Sequence, residues 1–181
     1  MNIRQTIRQK RRQLSPIERV NAQHAIYQQI LQHQDIKLAQ NIAIFLSVDG
    51  EVDTKSIIEY LWQQNKSVYL PVIHPFVSTH LLFLKYTPQT SLIKNKFNIL
   101  QPTLNVLNVL PHHKLDIIFT PLVAFDERGY RIGMGGGFYD RMLANYQSQK
   151  ILPIGLAFAC QKVPHIDNQP WDIKLPEIIY A

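Results

Sequence analysis

Ile42-Ala-Ile-Phe-Leu-Ser-Val-Asp-Gly-Glu-Val-Asp-Thr54 changes character twice within one short stretch. The unbroken apolar run Ile42 to Leu46 reads as a strand buried on both faces, since a half-exposed strand would alternate. Ser47 to Asp53 is a loop holding three carboxylates. Asp53 or Thr54 then caps a helix whose Ile57, Ile58, Leu61 and Trp62 form an apolar stripe. A buried strand feeding a helix is the start of an α/β architecture.

Toward the N-terminus, a helix is expected from Ile3 to Gln13. Ser15-Pro16 opens a second, with Glu18 at the capping-box position and Ala22, Ala25, Ile26 and Ile30 on one face. Toward the C-terminus, Val68 to Leu70 reads as a strand stopped by Pro71, and Leu81 to Tyr86 as another. Thr87 to Pro111 is irregular. Leu115 to Phe119 is a buried strand ended by Thr120-Pro121, Tyr139 to Tyr146 is helical, and Leu152 to Phe158 and Glu177 to Tyr180 are strands. Strands alternating with helices imply one domain over residues 1–181. The expected fold is an α/β three-layer sandwich, with a mostly parallel central sheet flanked by helices.

At 181 residues, 46% hydrophobic and 18% charged, the chain has the balance of a globular domain. No apolar run approaches a bilayer-spanning length, and the basic stretch Met1 to Arg12 lacks the apolar segment of a signal peptide. Cys160 is the one cysteine, so no internal disulfide forms and a reducing cytoplasm fits. Residues 1–19 carry Arg4, Arg8, Lys10, Arg11, Arg12 and Arg19 against Glu18 alone, so most of the net charge of +6 lies there. Such a helix suits an anionic ligand, a nucleic acid, or simply solvent.

Gly133, Gly135, Gly136 and Gly137 crowd together ahead of a helical segment. Glycines there let the backbone approach a ligand, and exposed amides favour a phosphate. The alternative is a tight hairpin turning at Gly129-Tyr130. Neither the dinucleotide fingerprint nor the Walker A pattern fits, because Phe138 and Tyr139 stand where lysine and Ser/Thr would follow the last glycine. Arg131 and Arg141 flank the run. Asp140 is either an acid complementing the helix dipole or a magnesium ligand beside phosphates. His112-His113 make a poor metal pair, and Cys160 has no histidine at a telling spacing.

Several ordered segments together resemble the 5-formyltetrahydrofolate cyclo-ligase family. They are Ile3-Arg4 through Arg12-Gln-Leu-Ser15, Phe45 to Thr54, Val68-Tyr-Leu-Pro71, Pro121 to Asp126, Arg131 to Arg141, and Trp171-Asp172. The resemblance implies a three-layer α/β fold and the ATP- and Mg²⁺-dependent closure of 5-formyltetrahydrofolate to 5,10-methenyltetrahydrofolate. It implies that Arg4, Arg8 and the run Arg131, Ile132, Gly133, Met134, Gly135, Gly136, Gly137, Phe138 and Tyr139 bind ATP, with Arg4 and Arg131 catalytic. Leu46 and Glu51, with Met134 to Phe138, would border the folate, and Asp140 and Asp172 would hold magnesium. The family's Lys-x-x-Leu-Arg segment aligns here with Ile3-Arg4, its lysine falling before Met1, and its Tyr-Tyr is Phe138-Tyr139. Small molecules are the expected partners of a monomer, without nucleic acid or membrane. A nucleic-acid-binding protein and a sugar-phosphate or coenzyme A-transfer enzyme are the rival readings.

Overall fold

The computed structural model describes residues 2–181. Helix α1 (Ile3–Gln13) begins where the Asn2 side chain accepts from the Arg4 amide, and α2 (Pro16–Gln32) begins at the Ser15–Glu18 capping box. After the short α3 (Gln34–Leu38), β1 (Asn41–Ala43) leads through the acid-bearing loop into α4 (Lys55–Gln63). Then come β2 (Ser67–Ile73), β3 (Leu81–Tyr86), β4 (Leu92–Lys94), β5 (Leu100–Pro102), β6 (Val109–Leu110) and β7 (Ile117–Pro121). The chain ends with β8 (Ala124–Phe125), β9 (Arg131–Ile132), α5 (Phe138–Leu143), β10 (Leu152–Ala157) and β11 (Glu177–Tyr180).

Seven strands form one sheet in the order β11-β10-β7-β1-β2-β3-β6. Pairing is parallel from β11 to β2 and antiparallel at β3 and β6. Alternate residues of each central strand enter opposite cores, which explains the unbroken apolar runs. Ile42, Ile44, Val68, Leu70, Ile117 and Phe119 join Ile26 and Ile30 of α2, Ile36 of α3, and Ile57, Ile58 and Leu61 of α4. Ala43, Tyr69, Phe83 and Ile118 face the other way, onto Leu143 and Ile151. Helices, sheet, and α5 with its neighbouring segments therefore make the three expected layers. A third cluster packs Ile7 of α1 on Val123 and Ala124 beside the β8–β9 hairpin.

Several boundaries differ from expectation. β2 runs through Pro71 rather than stopping there. On its ladder with β3, the His74 amide donates to the His80 carbonyl, so the directly bonded pairs are even-numbered and Pro71, opposite Phe83, needs no N–H on that side. What Pro71 ends is the pairing with β1, whose last bond runs from the Ile44 amide to the Tyr69 carbonyl at 2.9 Å. β1 is accordingly shorter than the apolar run that announced it. β7 likewise extends over Thr120 and Pro121, opposite Gly155 and Leu156. The segment 87–111 contains the β4–β5 hairpin and the edge strand β6. The hairpin considered for Gly129 exists as β8–β9, just upstream of the glycine run, and α5 is shorter than expected.

Candidate active site

Two turns near one rim of the sheet carry the polar chemistry, and α1 touches both. The first is Val48 to Glu51, closed by the Glu51 amide donating to the Val48 carbonyl at 3.0 Å. Its central residues Asp49 and Gly50 both have positive φ, +50° and +74°, which the Asp-Gly pair tolerates. Beyond it, the Thr54 hydroxyl donates to the Phe45 carbonyl at 2.7 Å and fixes both ends of the loop.

Four arginines grip this turn. Arg8 donates to Asp49 Oδ2 at 2.6 Å, and Arg12 donates to Asp49 Oδ1. Arg11 reaches both the Asp49 carbonyl, at 2.9 Å, and Oδ2, at 3.2 Å. Arg19 donates to the Gly50 carbonyl and to the Arg11 carbonyl, each at 2.8 Å. Burial works to raise the Asp49 carboxyl, but the bonds from Arg8 and Arg12 outweigh it and hold it below the usual range. Arg8, Arg11 and Arg12 of the basic helix are thus all directed onto one carboxylate, with Arg11 fully buried and Arg12 still largely exposed.

Glu51 is only 8% exposed, unlike a solvated loop acid. Its Oε2 accepts from the Val48 amide at 3.1 Å, while among the described residues Oε1 has no donor. Burial pushes the carboxyl up to about 7, opposed by the Val48 amide and by Arg11. Burial also drives the Tyr139 phenol well above its ordinary value, and the neighbouring Glu51 adds to that shift. The charge of Glu51 is thus felt at Tyr139, in the first turn of α5. Leu46 lies at the edge of the apolar core just before this loop.

The second turn is the glycine run. Asp126 anchors the hairpin that delivers it, accepting from the amides of Arg128, Tyr130 and Ile166 and from the Arg128 guanidinium. Burial works to raise Asp126, but these donors hold it low. Ile132 then packs on the cluster around Ile7. From Gly133 to Asp140, no backbone amide meets an acceptor among the described residues. Gly135 has φ +103°, and a Cβ there would meet nothing within 4 Å. The carbonyls, by contrast, are engaged: Gly133 accepts from Arg4 Nε at 2.9 Å, and Gly136 from Arg141. Met134, Gly135 and Gly136 are exposed, while Phe138 and Tyr139 are half-buried.

Arg131 does not lie free beside the run. It is buried, donating to Asp140 Oδ1 at 2.8 Å and to the Ile173 carbonyl at 2.6 Å. Burial lowers its pKa, opposed by Asp140 and, more weakly, by Tyr139 and Asp172. The structure therefore gathers Arg131, Tyr139, Asp140 and Asp172 into one neighbourhood. Asp140 Oδ1 also receives the Ile173 amide, and Asp172 Oδ2 receives the Gln169 amide, so each carboxylate keeps one oxygen without a donor among the described residues. No group of three His, Cys, Asp or Glu poised for a metal occurs among the described residues. One or two carboxylates are what magnesium usually takes from a protein, with phosphates and waters completing its shell.

Arg4 meets the glycine run, whereas Arg8 meets Asp49. The roles of Asp49, Arg11, Arg12 and Arg19 escape a sequence reading, although Asp49-Gly50 is a turn signal. Trp171 is largely exposed. A separate cleft bordered by Thr87, Thr90, Thr103 and Asn105 has only neutral lining and offers no charge to a phosphate. No helix among the described residues is long and apolar enough to cross a membrane.

Known proteins match this arrangement along its length. A 5-formyltetrahydrofolate cyclo-ligase of Haemophilus influenzae is 49% identical over 177 residues, covering 98% of this chain and 95% of that protein. One of Escherichia coli K12 is 47% identical over 173 residues, covering 96% and 95%. The solved structure of an Aquifex aeolicus 5,10-methenyltetrahydrofolate synthetase superposes with a TM-score of 0.83 at 26% identity, covering 98% of this chain and 87% of that one. A profile described as the 5-formyltetrahydrofolate cyclo-ligase family matches residues 1–181. The chain belongs to the 5-formyltetrahydrofolate cyclo-ligase family and is an enzyme of that class.

Proposed function

We propose that this enzyme closes 5-formyltetrahydrofolate to 5,10-methenyltetrahydrofolate at the expense of ATP, with the glycine run holding the phosphates and Glu51 holding the pterin. The observation that carries the reading is the bridging position of α1. It bonds to the carbonyl side of the glycine run through Arg4 and to the turn bearing Glu51 through Arg8 and Arg11. Arg4 and Arg11 lie about 10 Å apart along the helix axis, a span suited to a phosphate tail beside a bicyclic ring.

The formyl group on N5 is amide-like and a poor electrophile. Transfer of the γ-phosphoryl of ATP to the formyl oxygen turns that oxygen into a leaving group. N10 then attacks the formyl carbon, and departure of phosphate leaves the methenyl bridge and ADP. Such chemistry asks the protein for positioning and charge stabilisation rather than a nucleophile. The bare amides from Gly133 to Asp140 donate to phosphate oxygens, and Arg4 supplies positive charge at the same run. Arg131, buried under Asp140 and Ile173, holds the shape of the run and adds its field. Ionised Glu51, with Oε1 open, accepts N–H bonds from the aminopterin ring.

Asp140 and Asp172 are suited to Mg²⁺, each presenting one oxygen without a protein donor. The ion would neutralise charge on the phosphates. A single chain carries every group this reading uses, so we take the unit to be a monomer acting in a reducing cytoplasm.

Absorbance from methenyltetrahydrofolate should grow when the protein meets 5-formyltetrahydrofolate, ATP and Mg²⁺. Folded protein giving no ATP-dependent product would overturn the reading. Asp140→Asn should raise the Mg²⁺ concentration needed for half-maximal rate, and an unchanged titration would remove Asp140 from that role.

A further inference from the structure

We propose that Arg11 is a positioning residue for the folate subsite, its buried guanidinium fixing the Val48–Glu51 turn and thereby both the place and the charge of the Glu51 carboxyl. The proposal rests on the reading that Glu51 holds the pterin. Arg11 is 0% exposed, yet its Nε and Nη1 have no hydrogen-bond partner among the described residues. Buried arginines are normally matched at every donor, so a cation kept here half-matched calls for a reason beyond packing.

Anchoring Asp49 is not that reason, because Arg8 and Arg12 already hold both of its oxygens. What Arg11 adds is a bond to the Asp49 main chain, and Arg19 adds one to the next carbonyl while steadying Arg11's own. These two grip the backbone of the turn whose next residue is Glu51. The charged and titratable groups facing Glu51 are Arg8 and Arg11 from α1, Asp49 from the turn, and Tyr139 from α5. Among the cations, Arg8 is a third exposed and screened by water, whereas Arg11 is fully enclosed. Arg11 therefore gives the larger opposition to the burial that pushes Glu51 up to about 7.

The test is equilibrium binding of 5-formyltetrahydrofolate without ATP, by calorimetry from pH 6 to 9, on wild type, Arg11→Met, Arg11→Lys and Glu51→Gln. In wild type, affinity should rise with pH around 7 as Glu51 ionises. In Arg11→Met the midpoint should move up by about one unit, the effect of losing one close opposite charge. Near neutral pH the ionised fraction then falls from about one half to about one tenth, so Kd weakens about fivefold, converging with wild type toward pH 9. Arg11→Lys keeps the charge and should restore the midpoint. The KM for ATP should stay within about twofold in both. An Arg11→Met midpoint equal to wild type, or weakening uniform across pH, would reduce Arg11 to a structural role and overturn the proposal. Should Arg11→Met not fold, Arg11→Gln reads the same midpoint. Glu51→Gln separates the two claims. A weak and pH-independent Kd upholds the pterin assignment whatever Arg11 does, whereas a wild-type pH profile in Glu51→Gln refutes that assignment itself.

Discussion

The turn at 48–51 and the run at 133–137 both depend on left-handed backbone, but they are held in opposite ways. The first receives donors from Arg8, Arg11, Arg12 and Arg19, and its Glu51 amide is closed on Val48. Among the described residues the second leaves its amides open, and the side-chain donors it receives go to carbonyls, from Arg4 and Arg141. One turn is fixed before any ligand arrives, and the other keeps its donors in reserve. A planar heterocycle read by one carboxylate needs the former, since a misplaced acceptor loses its bond. A flexible chain of phosphates needs the latter, since amides already bonded internally have nothing to offer.

The sharpest break of this contrast is Glu51→Gln. Bonds to an ionised acceptor are worth about 1.5–3 kcal/mol each, so losing the charge should weaken 5-formyltetrahydrofolate binding about a hundredfold. ATP should lose less than about threefold if, as proposed, the other turn holds it. Equal losses for the two ligands would erase the division of labour.

The fixed turn should also have a stability cost visible in pH. Folded protein keeps the Glu51 proton up to about pH 7, whereas the unfolded residue releases it near 4.5. Between those values the native state binds more protons, so stability falls as pH rises through the window. The shift corresponds to a loss on the order of 3 kcal/mol from this group. Asp49 and Asp126 are held low, so their contributions are lost only in acid, as pH falls below their unfolded range. Chemical denaturation from pH 5 to 8 should show the decline in wild type and a flatter line in Glu51→Gln. Parallel lines would mean that Glu51 is already ionised in the native state.

The open run is tested by Gly135→Ala against Gly133→Ala. Neither added methyl meets an atom within 4 Å, but only Gly135 has a positive φ. Alanine there strains the backbone by about 1 kcal/mol or more, so KM for ATP should rise about fivefold or more. Gly133→Ala should leave thermal stability unchanged.

Sequence made the sheet and the three-layer arrangement legible because burial on both faces leaves unbroken apolar runs such as Ile42 to Leu46. It misplaced strand ends at Pro71 and Pro121, where the outcome depends on which flank the proline nitrogen faces, a property of the neighbouring strand. The site divided in the same way. Glycines are visible as a residue type, so the run at 133–137 stood out, whereas Glu51 was one of three loop acids that only the family resemblance singled out. The convergence of Arg8, Arg11 and Arg12 on Asp49 did not stand out. A basic helix facing solvent, nucleic acid or its own protein has one composition, and only the packing of Ile7 on the β8–β9 hairpin selects the last.

The smallest effect expected is at Arg4, among the described residues the one of α1 that bonds to the open run. Its side chain is exposed and makes a single bond, to the Gly133 carbonyl. If its service is charge near a triphosphate, Arg4→Ala should raise KM for ATP about threefold at low salt, with the difference shrinking as ionic strength screens the exposed charge. Arg4→Lys should then recover most of the loss. If Arg4 instead acts as a strut that keeps the run in place, the penalty should persist in salt and lysine should fail, because a single ammonium does not reproduce the guanidinium's directed bond. The second outcome would mean that the glycine run is shaped in advance after all, by α1, and that the two turns differ in degree rather than in kind.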